Sequence, residues 1–226
     1  FFGKNPGEQQ TVVGAIKSGA VSRKNWLEKS RNVDVFDIKS DTIRTLVELG
    51  VNENDLYISD KTKNCYHPGR SGAINLKSQN GPHLAYFGEL HPAITSNLDF
   101  KEKNIYGLEI FLKNIPQPKK KIRISKENYI ASDFQKSERD FAFVIDKSFK
   151  AGELESIIKK LDLNIIKKVT TFDIFEGQNI PEGKKSIAIN VVMQAADKTL
   201  TEKDLDQVSE KIISTVKEKT GATIRS

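Results

Sequence analysis

The stretch 137–226 carries one continuous series of strand and helix signals, which constrains the fold more than any other feature of the sequence. The first strand is marked by alternating apolar residues, which are Phe141, Phe143 and Ile145. The helix after it has apolar residues at helical spacing, which are Leu154, Ile157, Ile158 and Leu161. A second strand is predicted over about 166–175, and a third alternates over 187–193 after the turn-rich segment 176–183.

The series ends with a second helix and a short last strand. The helix is predicted to begin at Thr199-Leu200-Thr201-Glu202, which resembles a capping box, and to end at Gly221. Its apolar face is formed by Leu205, Val208, Ile212 and Val216. A short strand over 222–225 completes the order strand, helix, strand, strand, helix, strand, which predicts a ferredoxin-like α+β sandwich. Many functions share this architecture, so the fold alone assigns none of them.

Composition places the chain among folded proteins without a membrane span. Its 226 residues suffice for one large or two modest domains, and 37% of them are hydrophobic. We find neither an apolar run long enough to cross a bilayer nor a signal peptide. The first residue is not Met, which indicates a fragment or a processed chain. Cys65 is the only cysteine and has no partner for an internal disulfide, so we expect a reducing, cytoplasmic location.

The net charge of +6 is concentrated in one short stretch. Residues 113–137 hold 7 Lys and Arg against 2 Asp and Glu, whereas residues 138–226 hold 15 of each kind. The excess centres on 119–123, and two interpretations stay open. Such a basic run is more commonly a solvated linker, and the alternative is that it binds a polyanion electrostatically.

A domain boundary is predicted at Ile115-Pro116-Gln117-Pro118, where proline blocks regular pairing. We therefore divide the chain into an α+β domain over 1–113, a basic linker over 114–136 and the ferredoxin-like domain over 137–226. No metal-ligand spacing is present, because the three His and one Cys are scattered.

The first domain is predicted to contain an antiparallel sheet. A strand edge is expected at 33–38, followed by a helix from Thr42 to Leu49 that Asp41 caps and Gly50 ends. Residues 6–20 fit a helix or a strand equally well. Short apolar segments with turn residues between them indicate the other strands, at 56–58, 72–76, 83–87 and 105–111.

Two histidine-containing motifs in this domain invite a catalytic interpretation. They are Tyr66-His67-Pro68-Gly69-Arg70-Ser71-Gly72 and Phe87-Gly88-Glu89-Leu90-His91-Pro92. His67, His91 and Glu89 are the residue types of a general acid, a base and an orienting carboxylate. Packed or capping turns are the more common role of His-Pro at a strand end. Gly69 and Gly72 also lack the spacing of a nucleophile elbow around Ser71, so we predict no active site.

Binding residues are predicted near one end of the second domain's sheet. The third strand, 187–193, has no aromatic residue, which argues against base stacking of the RNA-recognition-motif kind. On the second strand, residues three apart point to opposite faces, so we place Phe172 and Ile174 in the core and Phe175 outward, available to stack on a base. Donors for phosphates or base edges are Lys184, Lys185, Ser186 and Arg225.

Both halves resemble the C-terminal part of the β subunit of bacterial-type phenylalanyl-tRNA synthetase. The first half is similar to its catalytic-like module through 33–39, 67–71 and 87–92. The second half is similar to its ferredoxin-fold anticodon-binding domain through Arg139-Asp140-Phe141-Ala142-Phe143, Phe172-Asp173-Ile174-Phe175, Glu182-Gly183-Lys184-Lys185-Ser186, Thr199-Leu200-Thr201 and Gly221-Ala222-Thr223-Ile224-Arg225. The family form often carries Tyr where Phe175 stands here; stacking tolerates this change, whereas a phenolic hydrogen bond is lost.

The resemblance implies a segment of an aminoacyl-tRNA synthetase that has no active site of its own. The first half would be a partial, class II synthetase-like module that packs on an α subunit within an (αβ)₂ tetramer. That α subunit would join phenylalanine to tRNA(Phe) with ATP and Mg²⁺, and this segment would bind no cofactor. Phe175, Ser186 and Arg225 would meet the anticodon, and the hydrolytic editing module would lie elsewhere in the full subunit. The alternative is a ferredoxin-like ligand-sensing or protein-interaction module without RNA binding.

Overall fold

The computed structural model describes residues 4–100, 104–117, 132–162 and 164–225. The chain divides into two compact units, Phe1–Ser125 and Lys126–Ser226, which we call unit 1 and unit 2. Most of the linker predicted over 114–136, including its basic run, lies outside the described residues. The finer three-part division of the chain stays a prediction.

Unit 1 is built on a five-stranded antiparallel sheet, as the spacing of its apolar segments predicts. The strands lie in the order β1-β5-β4-β3-β2. Their bounds are β1 Val12–Ser18, β2 Leu56–Ser59, β3 Tyr66–Leu76, β4 His83–Leu90 and β5 Ile105–Phe111. The ambiguous segment 6–20 therefore contains an edge strand rather than a helix.

One long helix, α1 (Val35–Glu48), packs on β4 and β5 and buries Ile38, Thr42 and Leu46. The prediction of a strand over 33–38 is wrong. Asp34 accepts hydrogen bonds from the backbone N–H groups of Phe36 and Asp37, and the Asp37 side chain accepts one from the Asp34 N–H. This reciprocal capping box begins the helix seven residues before Asp41, the residue predicted to cap it.

Unit 2 has the ferredoxin-like order of elements that its sequence pattern predicts. They are β6 Ser137–Asp146, α3 Ala151–Lys159, β7 Ile166–Phe175, β8 Lys184–Met193, α4 Glu202–Thr220 and β9 Thr223–Ile224. The strands lie in the order β7-β8-β6-β9. Because both helices cover the same face of the sheet, its core lies between that face and apolar residues such as Leu154 and Ile212.

Helix α4 is capped at both ends. Its capping box joins Thr201 to Asp204 rather than Thr199 to Glu202, which places the first turn two residues later than predicted. Gly221 ends the helix with φ of 68°, a left-handed conformation that suits glycine. Within the part of the chain that the structure describes, no helix is long and apolar enough to span a membrane.

Candidate nucleic-acid interface

The sheet of unit 2 leaves one face without a helix, and strand β8 shows how the two faces differ. Alternate residues of β8 enter the helix-covered core, which are Ile187, Ile189, Val191 and Met193. The residues between them lie on the opposite face, which are Ser186, Ala188, Asn190 and Val192. We call this second surface the open face.

Phe175 lies on the open face. It is directly opposite Ser186 in the β7–β8 register, and its side chain is 40% exposed. Phe172 and Ile174 were expected in the core, and this prediction is wrong because they are 58% and 50% exposed. A bulge between Thr171 and Asp173 shifts the register of β7, an edge strand, and Glu155 accepts a hydrogen bond from the Thr171 N–H there.

Arg225 meets Phe175 across the width of the sheet. Its backbone N–H donates to the Ala142 carbonyl (2.7 Å), which extends the pairing of β9 with β6. Its guanidinium carbon lies 5.5 Å from the centre of the Phe175 ring, which belongs to the strand at the far edge. A cation over an aromatic face at this distance is attracted by the ring quadrupole.

Small side chains form the floor beneath this contact. Ala142 of β6 is paired with Ala188 of β8, and Ser186 is paired with Val144. Ser186 is only 3% exposed although no helix covers its face. Because the floor carries short side chains, the long side chains of Phe175 and Arg225 have room to lie over the sheet and approach each other. We call this part of the open face the shelf: the Phe175 ring and the Arg225 guanidinium lying over the short side chains of β6 and β8.

The two predicted lysines lie on opposite sides of the sheet. Lys184 is opposite Asp146 and shares the open face with Ser186, whereas Lys185 alternates to the helix side. Hydrogen bonds from Ser148 hold the pKa of Asp146 below its usual value, and the charges of Lys184 and Lys185 contribute to the same shift. Phe175, Ser186, Arg225 and Lys184 thus share one face, and Lys185 does not.

One candidate residue was missed by the sequence analysis. Asp173 lies two residues before Phe175, and its register partner is Ala188, so it shares the open face. An ionised carboxylate accepts hydrogen bonds from amino and imino groups, which are the donors on the base-pairing edges of nucleobases. The signal that identifies Asp173 is the period of two along β7, counted back from Phe175.

The histidine motifs of unit 1 have local structural partners. The Arg70 guanidinium forms a bidentate pair with the buried Glu89 carboxylate, with 2.9 Å between Nη2 and Oε1. His67 Nδ1 accepts from the Gly69 N–H, and His91 Nδ1 caps the short helix α2 (Pro92–Thr95) by accepting from the Ala93 N–H. Among the described residues, no group of three or more His, Cys, Asp or Glu side chains is arranged to hold a metal ion.

Comparisons with known families match almost the whole chain. Residues 132–225 match the ferredoxin-fold anticodon binding domain, and residues 2–112 match the phenylalanyl tRNA synthetase beta chain CLM domain.

Individual proteins agree with these matches. A phenylalanine–tRNA ligase beta subunit of Paramagnetospirillum magneticum is 37% identical over 225 residues, covering 100% of this chain and 28% of that protein. Subunits of the same name from Bartonella henselae and Rickettsia prowazekii are 37% and 36% identical over 97% and 96% of this chain. The chain therefore spans about 28% of the length of the relative from Paramagnetospirillum.

Proposed function

The chain belongs to the family of phenylalanyl-tRNA synthetase β chains, corresponding to the C-terminal part of that subunit, and on this basis we propose that unit 2 binds the anticodon stem-loop of tRNA(Phe). In this proposal the chain is a non-catalytic segment of phenylalanine–tRNA ligase. The α subunit supplies the aminoacylation site with its ATP and Mg²⁺.

The observation that carries the proposal is the shelf on the open face. Its ring, Phe175, is partly exposed, and its guanidinium, Arg225, already lies over an aromatic plane. Nucleobases stack on such rings, and arginine binds both their faces and the neighbouring phosphates. Unpaired loop nucleotides present both free base faces and phosphates, whereas the bases of a duplex are stacked on each other.

Polar groups beside the shelf provide the means to discriminate between bases. The Asp173 carboxylate accepts hydrogen bonds, and the Ser186 hydroxyl both donates and accepts them. Lys184 and Arg225 supply positive charge for the sugar–phosphate backbone. We therefore assign stacking to Phe175, a base-edge contact to Asp173, and backbone contacts to Lys184 and Arg225. Ser186 is 3% exposed, so its base-edge contact requires the side chains that cover it to move on binding. Lys185, on the helix side, is assigned a long-range electrostatic role.

Unit 1 is proposed to pack on the α subunit within an (αβ)₂ tetramer. The outer side of α1 lines an open groove of about 700 Å³ that includes Phe36, Ile43 and Val47. Phe36 is 70% exposed, and Lys39 and Arg44 lie on the same groove. Phe36 and Val47 are exposed, whereas Ile43 also packs against the core. Exposed apolar side chains beside charged residues are typical of a surface that another protein covers.

The direct test compares tRNA(Phe) with a variant in which only the anticodon is exchanged. We expect the 226-residue chain to bind both weakly and with strong salt dependence, since phosphate contacts release counterions, and to prefer the native anticodon. Fluorescence titration at moderate salt measures both affinities. Equal affinity for the two tRNAs would contradict anticodon recognition. Stabilisation by a free amino acid, together with no tRNA binding, would favour the ligand-sensing alternative.

A further inference from the structure

Between β1 and α1 the chain forms an ordered arm, residues 20–32, that carries the only tryptophan of the sequence. Its two sides pair through a bridge between Ala20 and Asn32 and a hydrogen bond from the Val21 N–H to the Arg31 carbonyl (3.0 Å). At the tip, the Asn25 side-chain oxygen accepts from the N–H groups of Leu27 (2.9 Å) and Glu28 (2.8 Å). The arm therefore has a defined conformation without help from the core.

The tip of the arm presents a large apolar surface to solvent. Trp26 is 94% exposed and Leu27 is 72% exposed. Tryptophan has one of the largest apolar surfaces of any side chain, so leaving it in water forgoes a favourable transfer free energy. Because the turn at Asn25 already fixes the backbone, covering Trp26 would cost little conformational entropy. Exposed, pre-organised tryptophans of this kind are the usual hot spots of protein interfaces.

The charges around Trp26 restrict what can cover it. Arg23, Lys24 and Lys29 flank Trp26 and Leu27 along the chain, and Glu28 is the single acidic residue among positions 22–30. No ion pair joins these three basic side chains to other described residues, whereas Arg31, at the base of the arm, is paired with Asp37 at 2.7 Å. The complementary surface is therefore acidic around an apolar centre.

We propose that this arm is a docking element that places Trp26 and Leu27 in an apolar pocket bordered by Asp and Glu side chains on a protein partner. A protein surface fits better than RNA, because the exposed isobutyl group of Leu27, next to Trp26 in the chain, adds apolar surface that base stacking on a single ring does not use. The candidate partner is the α subunit, so the inference rests on the proposed function.

The test uses the single tryptophan as a reporter. The 226-residue chain is labelled with 5-fluorotryptophan, which gives one ¹⁹F resonance, and is titrated with unlabelled α subunit and separately with tRNA(Phe). Complex formation is followed in parallel by size-exclusion chromatography with light scattering. We expect the resonance to shift and to lose its H₂O/D₂O isotope effect with the α subunit, and to stay unchanged with tRNA.

Variants test the contribution of the arm to α-subunit binding separately from that of the rest of unit 1. Trp26→Ala should weaken α binding by roughly tenfold or more, as at other hot spots. The double change Arg23→Ala and Lys24→Ala should weaken it mainly at low salt. Phe100→Ala, which removes an exposed aromatic residue elsewhere in unit 1, is the matched control and should have no effect.

The outcomes distinguish failure of the docking role from failure of the proposed function. If the α subunit binds while the resonance and the Trp26→Ala affinity stay unchanged, the docking role is overturned and the proposed function stands. A shift with tRNA alone would make the arm an RNA contact and overturn the inference. If no complex with the α subunit forms at all, both the partner assignment and the docking role are contradicted.

Discussion

At the residue scale, the position of the Phe175 ring depends on Gly177, which has no side chain. A Cβ added at Gly177 would lie 2.8 Å from Cζ of the Phe175 ring, which is closer than van der Waals contact permits. The backbone at Gly177 therefore lies close to the tip of the ring and limits its movement on the side of the loop 176–183. An aromatic platform that is held in place before binding loses less entropy when a base stacks on it.

This packing predicts the effect of Gly177→Ala. The added methyl group should displace the Phe175 ring and weaken tRNA(Phe) binding, while the unfolding midpoint of the chain changes little. Gly152→Ala is the matched control, because a Cβ at Gly152 meets nothing within 4 Å. Fluorescence titration with tRNA(Phe) measures both variants. Unchanged affinity in Gly177→Ala would show that the ring position is not important for binding.

We expect His83 to make the stability of unit 1 depend on pH. Its ring lies 4.0 Å from Tyr86 and 5.2 Å from Phe111 between centroids, and its buried Nε2 has no hydrogen-bond partner among the described residues. Burial lowers the pKa of His83 below 6.5, and the nearby Lys63 charge acts in the same direction. As pH falls below the unfolded-state pKa, the unfolded chain therefore takes up a proton more readily than the folded one.

We accordingly expect unit 1 to lose stability between pH 7.5 and pH 5, and His83→Gln to lose less than the wild type over the same interval. Urea unfolding followed by circular dichroism at both pH values measures the difference. A pH dependence of the same size in wild type and variant would contradict the role of His83.

At the scale of elements, capping hydrogen bonds set the N-terminal ends of α1 and α4, which the sequence analysis misplaced. Val33, Val35 and the apolar residues after them alternate as in a strand, but Asp34 and Asp37 satisfy each other's backbone N–H groups and begin α1. Arg31 pairs with the Asp37 carboxylate at 2.7 Å and holds its pKa well below the usual range. An Asp-x-x-Asp capping box is visible in the sequence, although two acidic residues in a loop are common enough to obscure it.

The position of the α4 cap can be tested with a pair of threonines. The Thr201 hydroxyl oxygen accepts from the Asp204 N–H (3.3 Å) and the hydroxyl donates to the Asp204 carboxylate (2.7 Å). Thr201→Ala should therefore lower the free energy of unfolding by about 1 kcal/mol, as loss of an N-cap typically does. Thr199→Ala, at the position predicted from sequence, is the control and should cost much less. Equal losses in urea unfolding would contradict the observed cap.

The site was predictable from sequence only in part. Phe175 and Asp173 share a face because strand side chains alternate, and this rule needs no structure. The bulge at Phe172 is accompanied by a hydrogen bond from the Thr171 N–H to Glu155 in α3, which no local pattern along β7 reveals. The contact of Arg225 with Phe175 depends on strand order and on small residues in two intervening strands, so it could be found only once the sheet was assembled.

For the whole molecule, the distribution of charge raises the question whether the basic run outside unit 2's sheet contributes to tRNA affinity independently of anticodon recognition. Unit 2 residues 138–226 are balanced in charge, and the basic excess lies around 119–123. The linker interpretation predicts that replacing Lys119, Lys120 and Lys121 with alanine leaves the affinity for tRNA(Phe) and its salt dependence unchanged. If these lysines instead contact phosphates, the variant should bind tRNA(Phe) and the anticodon-exchanged tRNA equally more weakly, with a shallower salt dependence.

The most direct measurement of the central claim is a double-mutant cycle between Phe175 and the anticodon bases. Phe175→Ala and the wild type are titrated with tRNA(Phe) that is intact or abasic at one anticodon position at a time. Stacking predicts that Phe175→Ala weakens binding of intact tRNA by about 1–3 kcal/mol and has little further effect when the stacked base is missing. An equal loss with intact and with every abasic tRNA would contradict the proposal that Phe175 stacks on an anticodon base.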